Sequence, residues 1–254
     1  MRWEGLDLEE LRDRWQVPAL EVWDRIGSTS DRLREWADQG APAWSVVLAE
    51  VQSAGRGREG RTWHSPQGGV WLSVLAPALQ DGRPASLLAG LVTARAIARV
   101  AGVSPGLKWP NDVWLDERKV AGILCETTPG APVRVGIGIN VAQAPGELPA
   151  DVRALATSLE EAGTTVSRVE LVGELLDGLR ETWSERGSTW LREWESRDAL
   201  RGRAVRAASG PVGIAEGVDA HGRLRIRVAP GQVEYVASGS VRLELADATL
   251  QPSE

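Results

Sequence analysis

The sequence predicts an α+β fold in two parts, and three observations carry that prediction. Leu171, Leu175, Leu179 and Trp183 recur every four residues behind Ser167-Arg168-Val169-Glu170, the pattern of a capped amphipathic helix. Ahead of that helix, short apolar runs separated by Gly, Pro and polar clusters read as strands interleaved with helices. After about residue 200 the texture changes to five short β-like runs in under fifty residues, as a small barrel requires. The division gives a larger part, 1–199, and a small part, 200–247.

In chain order, Leu20–Ile26 alternates loosely as a strand, and Ser28-Thr29-Ser30-Asp31 supplies cap chemistry for a helix through about Gln39. Trp44–Glu50 is a buried strand, and Val70–Leu75 follows the turn residues Pro66-Gln67-Gly68-Gly69. Ala85–Val100, apolar on most sides, is a deeply buried helix. Three short strands fit Leu107–Trp109, Lys119–Glu126 and Val133–Val141, and a shorter helix fits Thr189–Arg197. The small part reads as strands at Arg203–Ala207, Val212–Val218, Leu224–Val228, Val233–Val236 and Val241–Leu245, with turns such as Asp219-Ala220-His221-Gly222.

At 254 residues with 43% apolar and 25% charged residues, the chain can bury a sizeable core. Lys+Arg 29 against Asp+Glu 35 leaves a net charge of −6, which argues against general nucleic-acid binding. The one cysteine, Cys125, excludes an internal disulfide and fits a reducing compartment. The first residues have no signal-peptide core and no apolar run is long enough to span a bilayer, so a cytoplasmic protein off the membrane is expected. Twelve Trp stand beside no Phe; most of them read as core packing.

Two segments carry the chemistry. Residues 50–66 place Arg56, Arg58 and Arg61 on a backbone loosened by Gly55, Gly57 and Gly60. Such a run is either a solvated surface loop or a clamp for phosphate or carboxylate. Its Gly-x-Gly-x-x-Gly spacing fits a dinucleotide fingerprint only on paper, because Thr62-Trp63-His64-Ser65-Pro66 cannot open the helix that motif needs. No Walker or kinase glycine loop is present. The second segment is Lys108-Trp109-Pro110-Asn111-Asp112, followed by Lys119-Val120-Ala121-Gly122-Ile123-Leu124. Asn111-Asp112 is a turn pair that would close a hairpin between Trp109 and Trp114; alternatively Asp112 holds Mg²⁺ beside substrate phosphates. Lys119, opening an apolar strand, either snorkels or faces an anion where water is scarce. His64 and His221 have no metal-ligand partners at the right spacing, and no nucleophile motif is present. What is left suits phosphoryl-anhydride chemistry by fixed charge and positioning.

These residues resemble bacterial biotin–protein ligases. The match runs in order through Ser28-Thr29; Gln52-x-x-Gly55-Arg56-Gly57-Arg58-x-Gly60-Arg61-x-Trp63-x-Ser65-Pro66; Trp71-Leu72-Ser73; Lys108-Trp109-Pro110-Asn111-Asp112; Lys119-x-Ala121-Gly122-Ile123-Leu124-x-Glu126; and Gly136-Ile137-Gly138-Ile139-Asn140. The resemblance implies a class II aminoacyl-tRNA synthetase-like mixed sheet with helices and an SH3-like C-terminal barrel. It implies activation of biotin by MgATP to biotinyl-5′-AMP and transfer to one lysine of the biotin carboxyl carrier protein of acetyl-CoA carboxylase. Ser28, Thr29, Ser30, Gln52, Gly55, Gly57, Gly122 and Gly136 would meet biotin. Arg56, Arg58 and Lys119 would be the catalytic residues, meeting biotin and the acyl-phosphate, with Arg58 reaching the nucleotide as well. Arg61, Trp63, Asn111 and Asn140 would lie on the ATP side, with Asp112 toward Mg²⁺. Ser30 stands where the family often has Asn. The nineteen residues ahead of Leu20 are too few for a winged helix-turn-helix, so the monofunctional type without DNA binding is expected, with the oligomeric state open to a homodimer. The rival readings are a lipoate–protein ligase-like acyl-adenylate transferase and an Arg/Gly-loop nucleic-acid binder.

Overall fold

The computed structural model describes residues 2–128, 130–143 and 145–244. The chain opens with a two-stranded antiparallel pair, β1 (Arg2–Trp3) and β2 (Leu6–Asp7), and helix α1 (Leu8–Trp15). None of these is among the predicted elements, although Asp7 and Glu10 form a complete capping box at the start of α1. Strand β3 (Leu20–Ile26), helix α2 (Thr29–Asp38) and strand β4 (Val46–Gln52) then make a parallel crossover. Strand β5 (Val70–Ala76) and the buried helix α3 (Ala85–Ala101) follow. Then come β6 (Gly106–Lys108), β7 (Asp112–Leu115), β8 (Arg118–Glu126) and β9 (Val133–Ile139). The short α4 (Ala150–Arg153), α5 (Arg168–Ser184) and α6 (Thr189–Ser196) complete the larger part.

Seven strands form one mixed sheet in the order β3-β4-β5-β9-β8-β7-β6, antiparallel except for the β3–β4 pair. Residue alternation along β4 shows how the faces are used. Val46 and Leu48 belong to the large core shared with α3 and α5, whereas Val47 meets Leu33 of α2 and Leu75 on the opposite face. Leu171, Leu175 and Leu179 are fully buried and Trp183 nearly so, as the four-residue spacing predicts. Helices α3 and α5 approach closely at Gly178, where a side chain would stand 2.9 Å from Val92. The capping box predicted at Ser167 is half-formed: Ser167 Oγ accepts from the Glu170 N–H.

The C-terminal residues form a second sheet from β10 (Ala204–Ala207), β11 (Val212–Val218), β12 (Leu224–Ala229), β13 (Gln232–Val236) and β14 (Val241–Leu243). It is antiparallel in the order β13-β12-β11-β10-β14, and irregular register in β11–β12 and β12–β13 bends it. This sheet docks on the larger part through Trp109, whose indole Nε1 donates to the Gly222 carbonyl at 2.9 Å. Leu245, predicted as the end of the last strand, and the stretch to residue 247 lie outside the described residues. Among the described residues, no helix is long and apolar enough to cross a membrane.

Candidate active site

Strand β9 builds the floor of the site by what it omits. In Val133-Arg134-Val135-Gly136-Ile137-Gly138-Ile139, the apolar side chains at alternate positions enter the core, and glycines fall on the other face. Gly138 pairs with Gly122 of β8, so two adjacent strands are bare together. The indole of Trp63 fills that space: a Cβ at Gly138 would stand 2.5 Å from Trp63 Nε1, and one at Gly122 would stand 2.8 Å from its ring. A Cβ at Gly136 would lie 2.9 Å from Ser30 Oγ. Above this floor is a cavity of about 360 Å³.

One end of the cavity is neutral, and its hydroxyl and amide groups bond to one another. Thr29 and Ser30, at the start of α2, line it together with Gln52 from the end of β4. The Thr29 backbone N–H donates to Gln52 Oε1 at 2.8 Å, and the Thr29 hydroxyl donates to the same oxygen at 3.0 Å. Ser73 on β5, 1% exposed, donates to Thr29 Oγ1 at 2.8 Å and lies 3.2 Å from Ser30 Oγ. Gln52 Nε2 donates to Ser65 Oγ at 2.8 Å. Ser28 lies outside the cavity lining; its Oγ caps α2 by accepting from the Asp31 N–H.

The Gly/Arg loop is a compact hairpin. Gly57 N–H donates to Arg61 O, Trp63 N–H to Gly55 O, and a helical turn at Arg58–Gly60 puts Glu59 at φ 57°. Gly55 is forced by crowding, since any side chain there would run into the Trp63 carbonyl oxygen. Gly55 lines a second cavity, of about 690 Å³, on the other side of the loop, while Gly57 borders both. Arg56 bridges Asp31 of α2 and Glu126 of β8, each at 3.0 Å. Arg61 is paired with Glu59 at 3.4 Å. Arg56, Arg58 and Arg61 all border the 360 Å³ cavity.

The hairpin reading of Lys108–Asp112 holds, and the Asp112 carboxylate is occupied by two lysines. Lys108 pairs with Asp112 across the β6–β7 hairpin, whose turn contains a cis Trp109–Pro110 bond, and the hairpin borders the cavity. Asp112 Oδ1 receives Lys119 Nζ at 2.5 Å, and Lys108 Nζ lies 3.6 Å from Oδ2. Lys119 also sits over the Trp63 ring, 5.1 Å from its centroid. Burial pulls the Lys108 ammonium below the usual lysine range; Asp112 opposes that, and the like charge of Lys119 adds to it. Asn111 Nδ2 donates to the Ile123 carbonyl at 2.9 Å, and Asn140 Nδ2 to the Thr157 carbonyl at 2.9 Å, so each side chain is held from behind as it borders the cavity. Burial pushes the Cys125 thiol up to about 12, which leaves it protonated and unfit as a nucleophile near neutral pH.

Several residues around the site are absent from the sequence-based set. Leu148, Val152, Leu155 and Ala156 close one side of the cavity from a segment without periodicity, and Ser240 and Val241 reach it from the C-terminal sheet. Ser73 had a signal, a lone hydroxyl in the apolar run Trp71-Leu72-Ser73-Val74-Leu75. Among the described residues, no group of three His, Cys, Asp or Glu side chains could hold a metal ion.

Residues 22–141 match the Biotin/lipoate A/B protein ligase family, and residues 202–243 match the Biotin protein ligase C terminal domain. The Biotin--[acetyl-CoA-carboxylase] ligase of Mycobacterium tuberculosis is 35% identical over 260 residues, covering 93% of this chain and 95% of that protein. The Bifunctional ligase/repressor BirA of Bacillus subtilis is 38% identical over 162 residues, covering 60% of this chain and 50% of that protein, so the match spans half of that relative's length. The structure of a biotin protein ligase from Aquifex aeolicus in complex with biotin and ATP is similar at a TM-score of 0.77 and 29% identity, covering 89% of this chain and 100% of that one. The chain belongs to the biotin protein ligase family.

Proposed function

We propose that the chain is an ATP-dependent biotin–[acetyl-CoA-carboxylase] ligase. The observation that carries this is the polarity of a single cavity. A neutral end of hydroxyl and amide groups at Thr29, Ser30 and Gln52 continues into a stretch bordered by Arg58, Arg61, Lys108 and Lys119. Biotin has the same polarity, with a neutral cyclic urea at one end and a carboxylate at the other. A lipoyl dithiolane offers the neutral end no N–H and no carbonyl, so it would leave those polar groups unpaired. A nucleic-acid clamp is disfavoured by the net charge of −6.

In this reading Thr29, Ser30 and Gln52 hold the urea, Gly136 and Gly122 make room for Ser30 and Trp63 beside it, and Gly55 and Gly57 shape the loop above it. Ser28 acts through the cap it provides to α2. Lys119 and Arg58 offset the repulsion between the biotin carboxylate and the triphosphate. A carboxylate oxygen attacks the α-phosphorus, the α–β P–O bond breaks, and pyrophosphate leaves. Arg56, held between Asp31 and Glu126, keeps the loop down so that water does not reach the mixed anhydride. Arg61, Trp63, Asn111 and Asn140 form the nucleotide side. Mg²⁺ would enter with ATP as substrate, held by phosphate oxygens and water, with Asp112, which here pairs with Lys119, as the carboxylate that would join them.

In the second step a lysine amine of the biotin carboxyl carrier protein attacks the acyl carbon. The C–O bond to the phosphate breaks, AMP leaves, and the amine proton passes to solvent. We assign the catalytic part to 1–199 and the C-terminal part to 200–247, and we place the reaction in the cytoplasm, where the carrier and ATP are made. The test is to incubate the purified chain with biotin, MgATP and a carrier domain and to weigh the product. The reading expects one biotinyl group on one lysine and an equivalent of AMP; an unmodified carrier would count against it.

A further inference from the structure

We infer that Ser73 is a positioning residue that relays to Ser30 the proton order fixed at Thr29 and Gln52, and thereby makes Ser30 a hydrogen-bond acceptor toward the substrate. The inference rests on the biotin reading of that cavity and extends it to a residue that need not touch the substrate.

The argument is a proton count. A backbone N–H can only donate, so the 2.8 Å contact from Thr29 N fixes the Gln52 amide with Oε1 toward Thr29. The Thr29 hydroxyl gives its proton to that same oxygen. Ser73 Oγ, 2.8 Å from Thr29 Oγ1, must then be the donor in their contact, because the Thr29 proton is already committed. With the Ser73 proton spent, the 3.2 Å contact between Ser30 and Ser73 can form only with Ser30 donating. Ser30 therefore points its proton away from the cavity it lines and presents lone pairs to it. On the other side of Gln52, Nε2 gives one proton to Ser65 Oγ and keeps a second N–H. Thr29, Ser30, Ser65 and Ser73 are at most 8% exposed, so water does not scramble the chain.

The neutral end thus offers an acceptor at Ser30 and a donor at Gln52. A cyclic urea answers both, with a ring N–H beside a carbonyl oxygen. A substrate whose N–H is blocked would leave Ser30 without its donor and would set a methyl against the Ser30 hydroxyl. Without the Ser73 oxygen, the Ser30 proton loses its acceptor and can turn toward the ligand, so the end loses its fixed polarity.

The test uses biotin-dependent ATP–pyrophosphate exchange with biotin and with the two mono-N-methylated biotins (one methyl on either ureido nitrogen), in the native chain, Ser73→Ala and Ser73→Cys. The native chain should reject at least one methylated analogue by about a hundredfold in kcat/KM. Ser73→Ala should raise the KM for biotin about tenfold with kcat within about twofold, and should cut the discrimination against that analogue to under about tenfold. Ser73→Cys, close in size with a weak S–H donor, should fall between the two and carries the test alone if the alanine variant does not fold. Unchanged KM and unchanged discrimination in a folded variant would overturn the role of Ser73. A native chain that exchanges no pyrophosphate with biotin would overturn the biotin reading instead, so the two failures are separable.

Discussion

Replacing Lys119 with glutamine removes one positive charge from the middle of the cavity and leaves the strand around it in place. The backbone of Lys119 bonds to Leu155 O and receives the Thr157 N–H, and neither contact depends on the side chain. Asp112 would lose its 2.5 Å partner yet keep Lys108 at 3.6 Å, so no uncompensated buried charge results. The folding cost is then that of a partly exposed ion pair, about 1 kcal/mol. The chemical cost is larger, because carboxylate and α-phosphate must approach each other with one cation fewer. Removing one such electrostatic contact costs about 3 kcal/mol of transition-state stabilisation, on the order of a hundredfold in rate. Biotin-dependent ATP–pyrophosphate exchange measures the step directly, and a melting curve checks the fold. A folded variant with exchange within about threefold of native would refute the reasoning and make Lys119 a snorkelling strand end that serves Asp112 alone.

Three further outcomes follow from the geometry. Gly138→Ala puts a methyl 2.5 Å from Trp63 Nε1, so Trp63 must move; steady-state kinetics should show the KM for ATP rising more than that for biotin, and an equal rise in both would remove Trp63 from the nucleotide side. Asp31→Asn with Glu126→Gln frees Arg56, and trypsin should then cut the 55–61 loop about fivefold faster, two exposed ion pairs being worth about 1 kcal/mol together; an unchanged cleavage rate would leave Arg56 without a tethering role. Burial raises the Asp198 carboxyl to about 6, while the Leu200 and Arg201 backbone N–H groups act against the rise. A carboxyl raised on folding costs stability once it ionises, so the penalty is absent below its unfolded pKa near 4 and complete above about 6. Asp198→Asn should therefore melt higher than the native chain at pH 8, with the advantage fading as pH falls toward 4; a constant difference across that range would contradict the assignment.

The parts of the fold written in periodicity or caps could be read before the structure. Leu171 to Trp183 had to be a buried helical stripe, and Val212–Val218 had to be a strand between glycine turns. The site was legible where chemistry is concentrated in a short run, as in Arg56–Arg61 and Lys108–Asp112. Its floor was legible in principle, since glycines at 136 and 138 leave every second side chain off one face of β9. Contacts made by distant residues were not legible. Arg56 finds Asp31 and Glu126 only because α2 and β8 fold to either side of the loop, and Leu148 and Leu155 come from a stretch whose order depends on tertiary packing. The helix at Leu8–Trp15 was missed for a different reason. Its capping box lies in plain sight at Asp7 and Glu10, but the helix is short, and its stability comes from burying Leu11 and Trp15 against the core.

The central claim is that one cavity accepts a cyclic-urea carboxylic acid and joins it to the α-phosphate of ATP. Pyrophosphate exchange into ATP, run side by side with biotin and with lipoate as the acid, tests it most directly. Exchange that depends on biotin and is absent with lipoate is the predicted result; exchange supported by lipoate, or by neither acid, would contradict it.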